Sequence, residues 1–202
     1  MGIKVQDIAY VRFSAPDLDE METFLSDFGM IRAERTADVL FMRGLDEDPF
    51  LHVTHRGEAG FVAAAFEAAS MKDLAKLARE ENVSIVGLDG PGGGSVIRLR
   101  DPDGFEIEVV AGRTAATRKE APAPAPCNDA HAAPRINALK RVSKGPSHVK
   151  RLGHCVLNVS DFRESEAWYK SRFGLITSDE IDIGSPDRAL GAFFRCDRGA
   201  VP

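Results

Sequence analysis

Apolar positions fall into a rhythm that changes period and then repeats. Residues 8–15, IAYVRFSA, read as a strand, and behind an Asp17-x-x-Glu20 cap the apolar residues Leu18, Met21, Leu25 and Phe28 recur at the three- and four-residue spacing of one helix face. Short apolar runs at 31–35, 38–43 and 50–55 then predict three strands. The same order follows at once: a strand at 61–68, a helix starting at Ser70-x-x-Asp73 with Met71, Leu74, Leu77 and Ala78 on one face, and strands at 83–87, 95–100 and 105–111. Asp101-Pro102-Asp103-Gly104 joins the last two strands as a hairpin turn: Pro presets φ, Asp bonds its own backbone, and Gly accepts a positive φ. Residues 1–113 thus predict one complete α+β domain built of two β-α-β-β-β units.

The opening of that domain recurs. Residues 8–30 are echoed by 152–175, LGHCVLNVSDFRESEAWYKSRFGL, with the same exits Phe28-Gly29-Met30 and Phe173-Gly174-Leu175. A repeat at this distance points to duplicated domains and not to a short-period solenoid. The second copy predicts a strand at 152–159, a helix at 161–172 capped by Asp161-x-x-Glu164, and strands near 176–181 and 189–196. Residues 149–202 number 54, against 113 for the first module, so the second is expected to be only the start of a module. So small a piece is expected to struggle to bury a core, and to be mobile, to dock on the first module, or to self-associate into a homo-oligomer through an open sheet edge.

Residues 114–148 separate the two. The stretch 121–134, APAPAPCNDAHAAP, has little to bury and reads as an extended linker. From Arg135 to Arg151 there are six Lys/Arg and no acid, but no aromatic residue to stack on a base, so a solvated connector is expected and no nucleic-acid partner.

Composition adds little to this picture. With 44% hydrophobic and 28% charged residues and a net charge of −5, the chain is expected to be a soluble, cytoplasmic protein without a membrane partner. Its N-terminus, MGIKVQDI, lacks the apolar core of a signal peptide. Cys127, Cys155 and Cys196 are widely spaced and read as reduced thiols. Pro91-Gly-Gly-Gly-Ser95 lacks the Gly-Lys-Ser/Thr end of a phosphate loop and precedes a strand, so it reads as a flexible connection.

The duplicated unit, the Asp-Pro-Asp-Gly-Phe-x-x-Glu hairpin at 101–108 and the Leu-Gly-His-x-Val-Leu segment at 152–157 together resemble the vicinal-oxygen-chelate superfamily of glyoxalases, bleomycin-resistance proteins and extradiol dioxygenases. An arrangement of two modules, with the histidine confined to the C-terminal one, most resembles the two-domain extradiol ring-cleaving dioxygenases. The resemblance implies sheets curled into half-open cups with helices outside. It also implies a metal site with ligands from the first strand, the strand opening the second unit and the last strand. In the first module those places hold Tyr10, Ala63 or a near neighbour, and Glu108, which implies a metal-free scaffold in which Glu108 takes a hydrogen bond or an arginine, Arg12 among the candidates.

In the second module the resemblance makes His154 a metal ligand, with the remaining ligands expected after Pro202. Strand alternation places Val156 and Asn158 on the same side as candidate pocket residues, with Phe194 on the later strand, while Cys155, Leu157 and Val159 face the helix. The implied function is Fe(II)-dependent cleavage of a catechol-type aromatic diol with O2, as in aromatic catabolism. This chain by itself is expected to hold no stoichiometric iron and to be inactive, and catalytic acid-base residues are not identifiable. The alternative is a non-catalytic small-molecule binder or scaffold of the bleomycin-resistance type, and a glyoxalase-type isomerase comes third. His52 and His55, three apart on a strand, point to opposite faces, and His131 and His148 fall in the linker.

Overall fold

The computed structural model describes residues 2–122, 127–134, 144–182, 184 and 189–197. The chain runs β1 (Val5–Ala15), α1 (Leu18–Phe28), β2 (Ile31–Arg35), β3 (Val39–Arg43), β4 (His52–Arg56), β5 (Gly60–Ala68), α2 (Met71–Glu80), β6 (Val86–Gly87), β7 (Ser95–Arg100), β8 (Glu106–Ala111), α3 (Phe162–Phe173), β9 (Ile176–Asp182) and β10 (Ala189–Arg195). Helix starts follow the cap logic: Asp17 accepts from the amides of Asp19 and Glu20, Ser70 from Asp73, and Asp161 from Glu164. Both echoed helices end on a left-handed glycine, Gly29 with φ 112° and Gly174 with φ 62°. Among the described residues no helix is long and apolar enough to cross a membrane.

Strands β1 to β8 form one curled sheet in the order β2-β3-β4-β1-β5-β8-β7-β6. Each unit places its first strand parallel to its last, β1 with β4 and β5 with β8, and the two units meet where β1 and β5 run antiparallel. The α+β class and the paired β-α-β-β-β units of the sequence reading are therefore those of the structure.

Alternation along the strands divides the core between the two faces. Leu74 and Leu77 of α2 share a core with Ile97, Leu99, Ile107 and Val109, and Leu18 and Leu25 of α1 with Leu40 and Met42. The opposite, concave face carries Tyr10, Phe41, Phe50, Val53, Ala65, Val96 and Val110.

One expectation for the second module changes. Residues 152–159 form no strand, because a strand needs a neighbour and, among the described residues, the sheet of this module is the β9–β10 pair. Of the three outcomes expected for this piece, the described residues of 149–197 take the docked one. Tyr169, Phe173 and Leu175 enter the same core as Leu74 and Leu77, the Phe173 ring lies 5.0 Å from Phe66, and Gly2 and Ile3 donate their amides to Ser171 and Arg172 at 3.0 and 2.8 Å. Burying these rings on its own first module takes their apolar surface out of water.

The linker is tied down at both ends. Residues 114–119 donate to the carbonyls of Gly92, Glu47 and Leu45, while Leu45 in turn donates to Val149 at 2.9 Å. The Gly-rich stretch is packed and not a free connection: Gly92 accepts from Thr114, and a Cβ on Gly90 would come within 2.5 Å of the Phe41 ring.

Candidate functional site

At the centre of the first module's concave face, the sheet register brings three positions level. Tyr10 on β1 pairs with Ala65 on β5, and Ala65 pairs with Glu108 on β8. Ala65, two residues from Ala63, is thus the residue level with Tyr10 and Glu108, and its methyl can ligate nothing. Glu108 is fully buried and fully engaged: it accepts from the Tyr10 hydroxyl at 2.6 Å, from Arg12 at 3.1 Å and from Arg98 Nε at 2.9 Å. A carboxylate cannot be buried uncompensated, and here two guanidiniums and a phenol supply its compensation.

Burial and the facing Glu108 charge push the Tyr10 phenol far above its ordinary range, so it stays a donor. Arg12 also reaches His55 Nε2 at 2.6 Å. Because the guanidinium only donates, His55 accepts through Nε2 and is neutral, with its affinity for a proton lowered by burial and by Arg12. His52 faces the other way, buried and stacked on Phe13 at 5.2 Å, and burial lowers its pKa to about 4. The two histidines part to opposite faces as their spacing requires, and neither joins a ligand set.

The rest of the cup is filled. The Phe50 ring sits 4.8 Å from Tyr10 and 5.2 Å from Phe41, and the Arg113 guanidinium lies 5.7 Å over Phe50. A cation has no place here: the surviving carboxylate is saturated by positive groups and the space is occupied by rings. The set of Tyr10, Ala65 and Glu108 does not fit a metal.

Two arginines of this region escaped the sequence reading. Arg98 was legible in principle, because the 101–104 turn pairs Arg98 with Glu108 and Arg100 with Glu106 across the hairpin. Arg113 was not, since its partners Glu67, at 2.8 Å, and Asp48, at 3.4 Å, come from distant segments. These groups line a cavity of about 460 Å³ with Asp7, Asp46 and Arg118. Burial raises the pKa of Asp48 and Glu67, and Arg113 opposes the rise.

In the second module, burial alternates along residues 154–159 although no ladder forms. Cys155 and Leu157 pack against the shared core, while His154, Val156 and Asn158 are exposed, Val156 at 82%. His154, Val156 and Asn158 therefore share one open side. Phe194 does not join them: it packs against the shared core with its ring 5.9 Å from Lys170 Nζ, and Phe193 is the exposed neighbour. Register irregularities in the β9–β10 pair, one of them between Phe193 and Phe194, break the alternation that strict counting assumes. Among the described residues no three His, Cys, Asp or Glu side chains gather as a metal set.

Residues 151–202 match the Glyoxalase/Bleomycin resistance protein/Dioxygenase superfamily. No curated protein matches the chain by sequence. Among solved structures, the chain is similar to the Mn(II)-bound glyoxalase of Novosphingobium aromaticivorans, with TM-score 0.71 and 18% identity over 96% of this chain and 58% of that one. It is also similar to the 2,3-dioxygenase LapB of Pseudomonas sp. KL28, with TM-score 0.73 and 17% identity over 97% of this chain and 68% of that one. A third is homoprotocatechuate 2,3-dioxygenase of Brevibacterium fuscum, in complex with 3,4-dihydroxyphenylacetate, with TM-score 0.72 and 17% identity over 96% and 57%. The chain thus spans little more than half the length of the first and third.

Proposed function

Because this chain has the vicinal-oxygen-chelate fold and carries, in residues 151–202, a segment of the glyoxalase/bleomycin resistance/dioxygenase superfamily, we propose that it is an extradiol-dioxygenase-like protein. Its second module is the one directed at Fe(II)-dependent opening of a catechol-type aromatic with O2, and its first is a metal-free scaffold. The observation that carries this reading is the contrast between the two equivalent positions. Tyr10 is sealed in a filled cup against Glu108, whereas His154 stands open beside Val156 and Asn158.

A redox iron of this kind needs two imidazoles and a carboxylate on one face, leaving the other face for the diol and O2. His154 supplies one imidazole, so residues 1–202 are proposed to touch a divalent ion weakly and not to retain it. His154 is the group toward such an ion, and Val156 and Asn158 flank the place an aromatic ring would take.

Titration with Mn(II), followed by paramagnetic broadening of histidine ring resonances, tests this. His154 is expected to broaden first among the five histidines, and His154→Ala to remove the effect, while His52 and His55 stay sharp. Broadening centred on the first module, or spread equally over all histidines, would overturn it. The rival reading is a non-catalytic binder of small aromatics. It would be favoured if calorimetry found catechol binding that neither metal nor His154→Ala alters.

A further inference from the structure

Residues 154–159 alternate in burial as the two sides of an extended segment do, yet residues 152–159 join no ladder. Something else must hold them straight, since an unpaired strand has little stability of its own. The first module grips this segment at both ends. At its entry, Gly29 accepts from the Val149 amide at 3.4 Å, and the carbonyls of Val149 and Lys150 accept from Leu45 and Asp46 at 2.9 and 3.3 Å. At its exit, the Ser160 amide donates to both carboxylate oxygens of Asp103, at 3.0 and 3.1 Å.

Farther along the chain, the same hairpin holds α3. The Tyr169 hydroxyl donates to Asp101 Oδ2 at 2.8 Å, both groups being buried, while Asp101 Oδ1 takes the Phe105 amide at 2.8 Å and keeps the turn in shape. Burial and the Asp101 carboxylate raise the Tyr169 pKa well above the ordinary phenol range. Between the two grips, Cys155 and Leu157 rest on the core, so the only freedom left to the segment is on the side of His154.

We propose that the Asp101-Pro102-Asp103-Gly104 turn is the receptor for the second module, and that with the 44–46 loop it forms a two-point clasp stretching residues 151–160 so that His154 is presented outward. Asp101, Asp103 and Tyr169 are positioning residues, acting on His154 through the backbone that carries it. The significance of His154 in this proposal rests on the function proposed above, but the clasp itself does not.

The test uses the full chain without metal. Site-resolved hydrogen exchange over 150–160 and the alkylation rate of Cys155, read by peptide mass spectrometry, report whether the segment is held. Asp103→Ala is expected to speed both by about five- to tenfold, Asp103→Asn, which keeps an acceptor, to restore near-native rates, and Tyr169→Phe to act in the same direction as Asp103→Ala. Exchange in β1 and β5 should stay unchanged. If Asp103→Ala leaves both rates within about twofold of the parent chain, or if Asp103→Asn loosens the segment as much as alanine does, the clasp is wrong. The Asp103 pair carries the test alone should Tyr169→Phe not fold. Because neither readout needs a metal, a chain in which Mn(II) ignores His154 would sink the functional reading and leave the clasp standing.

Discussion

Glu108 is the hub of the first module's buried polar cluster. In the first module it sits level with Tyr10 and Ala65, and two arginines and a phenol have taken over its oxygens. Removing one partner of a buried charged group is far costlier than the net worth of the contacts, because the others are left uncompensated. Glu108→Ala should therefore destabilise the chain by about 3–5 kcal/mol in chemical denaturation, and Tyr10→Phe by only about 1–3 kcal/mol. Equal losses would mean that the carboxylate is not the hub of the cluster. His52 gives a pH signature. Its folded-state pKa is depressed from 6.5 to about 4, so the unfolded chain takes up a proton that the folded chain refuses as pH falls through that window. Stability should drop from pH 6.5 toward 4, by up to about 3 kcal/mol from this group. His52→Phe, which keeps a ring against Phe13, should flatten that part of the slope in urea titrations at several pH values. The opposite faces of His52 and His55, and the bonding of Glu108 to Arg12, were legible from alternation and register. Arg113 was not, because its carboxylate partners lie 46 and 65 residues away.

Elements were legible where a local cause makes them. Asp17, Ser70 and Asp161 announce helices because their side chains satisfy amides two or three residues on, and the 101–104 turn announces a hairpin. The 152–159 segment shows where such reading fails: side-chain alternation records which side faces the core, while a strand also requires a neighbour that alternation does not supply. Gly29 is an element boundary with two duties. It ends α1 at φ 112°, and the space a Cβ would fill is taken by the backbone of Ser147 on the chain's return from the linker. Gly29→Ala should thus cost about 1–3 kcal/mol from backbone strain, and should also loosen the 147–150 return, seen as faster exchange of the Leu45 and Asp46 amides. A loss of stability with those two amides unchanged would confine the role of Gly29 to capping the helix.

At the scale of the whole molecule, the repeat between 8–30 and 152–175 made two modules visible, but not their relation, because the contacts that join them have no sequence signal. Phe66 meets Phe173, Glu81 meets Arg172 at 3.1 Å, and Lys4 pairs with Asp197, each between segments far apart in the sequence. These contacts place α3 in the core of the first module, so the covalent connection should be dispensable for holding the modules together. Lys144 is exposed ahead of Gly145-Pro146 and offers a place to cut. After brief trypsin treatment that nicks the chain there, the fragments 1–144 and 145–202 should co-elute in native size exclusion and separate only in urea. Phe173→Ala, which removes a fully buried ring at a cost of about 3–5 kcal/mol, should make the nicked halves part without denaturant. Fragments that separate in the unmutated chain as soon as the nick is made would show that the linker, and not the shared core, keeps the second module in place.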